Sequence, residues 1–304
     1  MNENGISIII VNYKSWLPLE NCLNSLLNQK KIKTEIIVVD NNSNDKKILS
    51  FKKMYKSVIW IENDSNYGFS KACNIGEVKS KFDLLLFLNP DTILGSNCLY
   101  KILDKNLDFN LNVVSIKQLD KKNKNTYAYG EFLSFSTFNG ILRSINRIFN
   151  NNTKKRLEKL DSFSPDWISG SFVLISKSVF RKVNMWDERF WMYYEDMDLC
   201  KKIKKIGVKI IMINTISCYH FHGLSTRTNL ETKIKTKTEV LISKIKYVDK
   251  HFFGLKKLMF ISIIYISIVL EHALLSPFSK VKKGVLIKFM KNFNYWFQCN
   301  IIPT

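Results

Sequence analysis

Several kinds of sequence signal are absent from this 304-residue chain, and each absence removes a class of protein. There is no Cys-x-x-Cys. The six cysteines (Cys22, Cys73, Cys98, Cys200, Cys218 and Cys299) are scattered, so free thiols in a reducing compartment are expected and a zinc cluster is not. No Gly-x-Gly-x-x-Gly follows the first apolar stretch and no Gly-Lys-Ser/Thr occurs, which disfavours a dinucleotide site and a P-loop. Prolines number only five, against the composition of a disordered chain. Near the start, Glu3 precedes a short apolar run from Ile6 to Val11 with Ser7 inside it and no small-residue cleavage site after it, so the expectation is a cytoplasmic body. The charge-free run from Leu258 to Leu270 is broken by Glu271 and His272, short of the ~20 residues that span a bilayer. Acidic residues are scarce, 26 against 47 basic, giving a formal charge of +21. That excess implies an anionic partner: nucleic acid, anionic lipid or a phosphate-bearing substrate. It is concentrated towards the end, where residues 228–304 carry 13 lysines and 4 acidic residues.

What is present is an alternation of strand and helix patterns. Ile6–Asn12 (I-S-I-I-I-V-N) predicts a buried first strand. Ser15, Pro18 and Glu20 mark a helix start, and Leu19, Cys22, Leu23, Leu26 and Leu27 supply spacings of three and four. Glu35–Val39 reads as a second strand ending at Asp40-Asn41-Asn42-Ser43, and Val58–Ile61 as a third. A loop with Gly68 and a helix over Ser70–Lys79 then lead to Leu84–Leu88, five apolar residues buried on both faces. This β-α-β-α-β-α-β order predicts a parallel sheet with right-handed crossovers. Downstream, Val113–Ile116 is a strand with Tyr127–Leu133 expected as its hairpin partner. Ser134–Ser164 reads as a lid or partner-facing excursion and Trp167–Ile175 as one strand. Leu199–Ile206 is a helix stopped by Gly207, and Val208–Ile213 is a last strand before Tyr219-His220-Phe221-His222-Gly223.

Polar loops that end successive strands must then hold any ligand. Pro90 cannot donate to a ladder, so the Leu84–Leu88 strand ends there and delivers Asp91 to the carboxyl edge of the sheet, where open α/β folds bind ligands. A carboxylate there, with the Asn89 amide two residues earlier, suits a hard divalent cation carrying a diphosphate. The competing reading is a turn aspartate capping the next helix.

Taken in order, Asn12, Asp40-Asn41-Asn42-Ser43, Asn66-Tyr67-Gly68-Phe69, Asn74, Asn89-Pro90-Asp91-Thr92, Trp186-Asp187-Glu188, Glu195-Asp196-Met197-Asp198-Leu199-Cys200 and His220 resemble the inverting glycosyltransferases of family 2, and more narrowly their rhamnosyltransferase-like subgroup. The resemblance covers about residues 5–226. It departs from the family at Asn184-Met185-Trp186, where Gly-Gly-Phe is usual, and at Lys71, where a small residue is commoner. It implies a GT-A fold, a Rossmann-like, mainly parallel sheet flanked by helices, over residues 1–227. Residues 228–304 are then a C-terminal helical appendage.

The resemblance also implies roles. Asn12, Asp40 and Asn42 meet the nucleotide base, with Asp40 against turn-capping as its alternative. Asn66, Gly68, Asn74 and Asn89 serve ribose and phosphates. Asp91, with His220 or its neighbour His222, holds Mg2+ or Mn2+. Asp196 is the general base, Glu195 its catalytic neighbour. Trp167, Gly170, Asp187, Glu188, Trp191 and Asp198 lie on the acceptor side, core packing being the competing reading for each tryptophan. Partners implied are a dTDP- or UDP-linked sugar donor and a glycan or polyprenyl-linked glycan acceptor. A homo-oligomer is compatible and nucleic acid is not expected.

The tail is read from physics alone. Thr228–Phe253 predicts a basic helix with Val240, Ile242, Ile245, Val248 and Phe252 as its apolar stripe. Later lysines interleave with Phe289, Phe293, Trp296 and Phe297, which describes a segment lying on the anionic inner face of the cell membrane. A helical subdomain packed on protein is the alternative. Two other classes compete for the whole chain. A basic nucleic-acid-binding protein lacks any identifiable motif here, and a nucleotidyltransferase lacks its Gly-rich first loop.

Overall fold

The structure is a computed structural model and describes residues 5–134, 151–221 and 230–300, with no side-chain detail at 151–154 and 299–300. His222 and most of the expected 134–164 excursion lie outside the described residues. Two compact units are present. The first takes in residues 5–132, 152–188 and 195–221, and the second is built on residues 230–300 together with Arg189–Tyr194.

In the first unit the apolar runs become strands where the sequence places them. β1 is Gly5–Asn12, followed by α1 (Trp16–Leu27), β2 (Lys33–Asp40), α2 (Lys47–Met54), β3 (Ile59–Glu62), α3 (Phe69–Val78) and β4 (Leu84–Leu88). Then come β5 (Thr92–Leu94), α4 (Cys98–Leu103), β6 (Asn112–Leu119), β7 (Tyr129–Gly130), α5 (Asn151–Glu158), β8 (Ser162–Phe163), β9 (Trp167–Ile168), β10 (Phe172–Ser176), α6 (Lys177–Lys182), α7 (Glu195–Lys205) and β11 (Lys209–His220). The nine-stranded sheet has the order β3-β2-β1-β4-β10-β6-β11-β5, with β8 on β11. β1 pairs in parallel with β2 and β4, β2 with β3, and β6 with β11.

Both faces are covered, which is why the strands read as continuous apolar runs. One face packs Ile6, Ile8, Ile10, Ile36, Val38 and Leu86 under α1, α2 and α4. The other packs Ile9, Ile37, Val39, Leu85 and Phe87 under α3, α6 and α7. Helix α3 lies so close that a Cβ on Gly76 would sit 2.6 Å from Ile9 Cγ2.

Three expectations are corrected. Trp167–Ile175 is not one strand. β9 leaves to pair with β7 in a separate two-stranded sheet, while β10 inserts antiparallel between β4 and β6. Tyr127–Leu133 is not the hairpin partner of β6: the chain returning from that strand makes an isolated bridge at Leu119–Asn125, and Tyr129–Gly130 pairs with β9. The last strand does not stop at Ile213 but runs on through an irregularity between Ile213 and Ser217, reaching His220 and pairing antiparallel with β5. Twelve residues of β11 carry its end to the rim of the sheet.

The second unit contains α8 (Leu230–His251), α9 (Gly254–Leu275), a 3-10 turn (Ser276–Phe278) and α10 (Lys280–Asn300). Ile242, Ile245, Val248, Phe260, Ile261, Ile264, Ile268, Phe289, Phe293 and Trp296 form its core. The helical run through α9 is longer than the sequence break at Glu271 suggested. Glu271 is accommodated at the surface by Lys282 at 2.6 Å, and Gly254–Phe278 is long and apolar enough to cross a membrane by length and composition.

Candidate active site

Period-two alternation places the polar cluster. On one face of the sheet the buried rows Ile6-Ile8-Ile10, Ile36-Val38 and Val114-Ile116 continue, two residues further along each strand, as Asn12, Asp40 and Gln118. Cys218 is followed in the same way by His220. Each strand thus changes from apolar to polar on the same face as it reaches the carboxyl edge, and all four polar side chains are buried there.

At the β1–β2 end, Asn12 Nδ2 donates to Asp40 Oδ1 at 2.8 Å. Ser43 donates to the same carboxylate from Oγ at 2.6 Å and from its backbone N at 2.9 Å. Asp40 therefore organises the loop that follows β2. Asn42, in a left-handed conformation (φ 60°), donates to the Asp64 carbonyl. The central residue of this loop is Asn41, which sequence reasoning passed over. Its amide donates to Asn66 Oδ1 and the Gly68 carbonyl, and its oxygen accepts from Asn63 Nδ2 and Tyr67 N. Gly68 takes φ 85°, ψ 178°, a region open essentially to glycine alone, to start α3. Asn74 is directed elsewhere. Its amide nitrogen donates to the Trp186 carbonyl and to Glu188 Oε1, and its oxygen accepts from Trp186 N, so it braces the 186–188 segment. Lys71 Nζ lies 4.2 Å from the centre of the Tyr67 ring.

Asp91 lies between β4 and β5, 3% exposed, its backbone carbonyl accepting from Phe221 N. Its Oδ1 is 3.2 Å from His220 Nε2 yet has no hydrogen-bond partner. Asn89 Nδ2 is 3.5 Å from the same ring nitrogen. His220 Nδ1 is 2.7 Å from Gln118 Oε1, which also accepts from Ser171 Oγ at 2.9 Å. Neither Gln118 nor Ser171 carries a sequence signature; β10 and β6 bring them there. Among the described residues no group of three or more His, Cys, Asp or Glu could hold an ion by itself. Two protein ligands suit a Mg2+-type ion that keeps phosphate oxygens as its remaining ligands, and the partnerless Asp91 oxygen beside an imidazole nitrogen fits that requirement. The Cys22 thiol, close enough to feel the Asp91 charge, does not compete, because burial pushes it up to about 12.

Glu195 and Asp196 open α7. Asp196 is half-buried, its Oδ2 accepting from Gly170 N at 3.3 Å and its Oδ1 from Met197 N at 2.8 Å. Burial raises its pKa, and the backbone donors from Met197 and Gly170 oppose the shift. Glu195 is more deeply buried and its Oε2 has no partner; burial first, and the Asp196 charge second, hold its carboxyl well above the ordinary glutamate value. Asp198 is fully buried with Lys202 at 3.5 Å, one turn along α7.

The Asp91 and Asp196 groups are joined by short contacts within one unit. Ser171 donates to Gln118 and its carbonyl accepts from Asn89 N, while the preceding Gly170 donates to Asp196. Of the other acceptor-side residues, Trp167 donates to the Glu131 carbonyl, Glu188 is held by Asn74 and Asp187 is half-buried. Trp191 belongs to the second unit, with Lys235 Nζ 4.2 Å from its ring centre. Trp186 is core, packed on Phe69, Phe87 and Phe180.

A doubly covered, mostly parallel sheet with acidic and amide groups along its carboxyl rim defines a GT-A-type glycosyltransferase, and comparison with known proteins agrees. Residues 7–184 match the model of Glycosyl transferase family 2, and the chain belongs to that family. It is 26% identical over 224 residues to the low-salt glycan biosynthesis hexosyltransferase Agl10 of Haloferax volcanii, covering 71% of this chain and 67% of that protein. It is 29% identical over 196 residues to the rhamnosyltransferase WbbL of Escherichia coli, covering 61% and 72%. It is 24% identical over 237 residues to the N-acetylglucosaminyl-diphospho-decaprenol L-rhamnosyltransferase of Mycobacterium tuberculosis, covering 73% and 77%. In fold it is similar to the mannosyltransferase PcManGT of Pyrobaculum calidifontis, solved with GDP-Man and Mn2+, at a TM-score of 0.58 and 11% identity, covering 95% and 87%.

Proposed function

We propose that this family 2 glycosyltransferase is inverting and metal-dependent. It moves a sugar from a nucleotide diphosphate to a hydroxyl of a glycan or polyprenyl-linked glycan in cell-surface polysaccharide synthesis. Rhamnose from a dTDP-linked donor is the first choice, supported by the names of two relatives. The observation that carries the reading is the unbroken contact path from Asp91 through His220, Gln118, Ser171 and Gly170 to Asp196. It joins a cation-binding pair and a partly accessible carboxylate within one unit.

Asn12, Asp40 and the Asn41-centred loop bind and orient the nucleotide, and Asn66 and Gly68 shape the approach to its phosphates. Asp91 and His220 hold a divalent ion of the Mg2+ or Mn2+ type, which when bound supplies positive charge against the departing diphosphate. Asp196 accepts the proton of the acceptor hydroxyl as that oxygen bonds to the anomeric carbon and the bond to the diphosphate breaks. Its raised pKa makes it a stronger base than an ordinary aspartate and still leaves it ionised at higher pH. Gly170 N–H keeps the carboxylate aimed. One displacement inverts the anomeric centre.

The test is a thermal-shift screen of nucleotide sugars with Mn2+, followed by NMR of the anomeric configuration in the product. Retention of configuration, or stabilisation by no nucleotide sugar, overturns the reading.

The helical unit supports a cytoplasmic, peripheral place on the inner face of the cell membrane. In α9, Phe260, Ile261, Ile264 and Ile268 face inward, whereas Leu255 (85% exposed), Leu258, Ile266, Leu270 and Leu274 (72%) line the opposite side, with Phe278 (88%) just beyond. Lys280, Lys283 and Lys291, exposed on α10, add the charge that anionic headgroups attract.

A further inference from the structure

We propose that Gln118 is a positioning residue that fixes which ring nitrogen of His220 meets the divalent ion, by accepting the Nδ1 proton and leaving the Nε2 lone pair for an ion beside Asp91. This rests on the reading of Asp91 and His220 as the ion's ligands. Gln118 is 1% exposed, so its amide answers to its neighbours and not to water. An oxygen 2.7 Å from a ring nitrogen has a proton between them, because two lone pairs at that separation repel. A neutral imidazole carries one N–H, so with Nδ1 protonated the lone pair is on Nε2. Nε2 is the atom 3.2 Å from the partnerless Asp91 Oδ1. These two atoms, close together with no hydrogen bond between them, are the protein ligands that an ion lying beside both would meet.

The support behind Gln118 is equally specific. Parallel pairing of β6 and β11 sets Gln118 opposite Cys218, so its side chain reaches the His220 ring two residues along the same face. Ser171 Oγ lies 2.9 Å from the same Oε1 and 3.0 Å from Ser169 Oγ, so its hydroxyl can hold the Gln118 amide on this side. The cost is visible at the other end of the amide: Gln118 Nε2 is buried without a partner. A buried orphan donor calls for an explanation, and here it is the consequence of committing the oxygen to two donors. With the amide reversed, its NH2 would donate to Nδ1, and Nε2 would carry the proton and have no lone pair for the ion. The two orientations therefore predict opposite tautomers.

The 304-residue chain, labelled with 15N-histidine, is examined metal-free by long-range 1H–15N correlation. It has four histidines, and His220→Asn assigns the signal. The expected result is the Nδ1–H tautomer at His220 in the wild type and its loss in Gln118→Leu. Mn2+ affinity in the presence of UDP, read by EPR of free Mn2+, is expected to fall about 10–100-fold in Gln118→Leu. Gln118→Glu, which still offers an acceptor, restores both. An Nε2–H tautomer in the wild type overturns the proposal and needs no variant to fold. So does Gln118→Leu with tautomer and Mn2+ affinity unchanged. Asp91→Asn separates the two readings. If it binds Mn2+–UDP as the wild type does, the ligand assignment fails. If it loses Mn2+ while Gln118→Leu keeps it, only the role of Gln118 fails.

Discussion

Three carboxyl groups with different surroundings divide the chemistry at the residue scale. Asp91 is buried with one oxygen unmatched, a costly state unless a cation completes it. Asp91→Asn is expected to lower metal-dependent turnover about 10²–10³-fold with the fold intact. Unchanged turnover in that variant would remove the metal assignment. Asp196→Asn keeps one acceptor oxygen where Asp196 offers Oδ2 to Gly170 N–H and Oδ1 to Met197 N–H, and it loses the proposed base. Turnover should fall about 10²–10⁴-fold with donor affinity retained, as titration calorimetry with UDP would report. The raised Asp196 pKa has a sign: turnover rises with pH as the carboxylate ionises, and that limb should lie above the ordinary aspartate value of 3.8. Glu195 gives a stability prediction. Its folded pKa is raised, so the folded state holds a proton that the unfolded chain releases as pH climbs past 4.5, and stability falls through that window. Glu195→Gln has nothing to ionise. Its Tm should match the wild type near pH 4 and exceed it increasingly at higher pH.

At the scale of elements, the local signals that were strongest in the sequence became the elements that place the site. Leu84–Leu88 is a strand within those same bounds because five apolar residues bounded by Asp83 and Asn89-Pro90 have nowhere to go but a doubly covered position. The segment around Trp167 shows the converse. W-I-S-G-S-F-V-L-I has uniform strand character, and only the competition between β7 and β4 for its two halves splits it at Ser169-Gly170-Ser171. That split creates the connector on which Gly170 meets Asp196 and Ser171 meets Gln118. Close helix approach is likewise a property of the pair of elements, and Gly76 measures it. Gly76→Ala would force a methyl against Ile9 and is expected to cost about 1–3 kcal/mol, seen as a lowered denaturation midpoint with the catalytic groups untouched.

For the molecule as a whole, the proposed membrane face rests on the positive charge and the outward apolar stripe of α9. Leu255→Glu with Leu274→Glu changes two exposed residues outside the helical core, so the protein should stay folded. Its retention on vesicles containing anionic lipid should drop sharply. Undiminished vesicle binding by the folded double variant would count against the membrane face.

Strand and helix alternation, the family and the order of the rim motifs were legible in the residues alone, because hydrophobic periodicity and turn chemistry act over a few neighbouring residues. The sequence also carried the charge that any partner must answer. It took the folded chain to set β10 antiparallel between β4 and β6, to make Asn41 and not Asn42 the centre of its loop, and to stand Gln118 behind His220. Those are pairings between residues far apart in the chain, Gln118 and His220 among them. A glutamine at a strand end becomes a tautomer-setting group only when another strand brings an imidazole to within 2.7 Å of it.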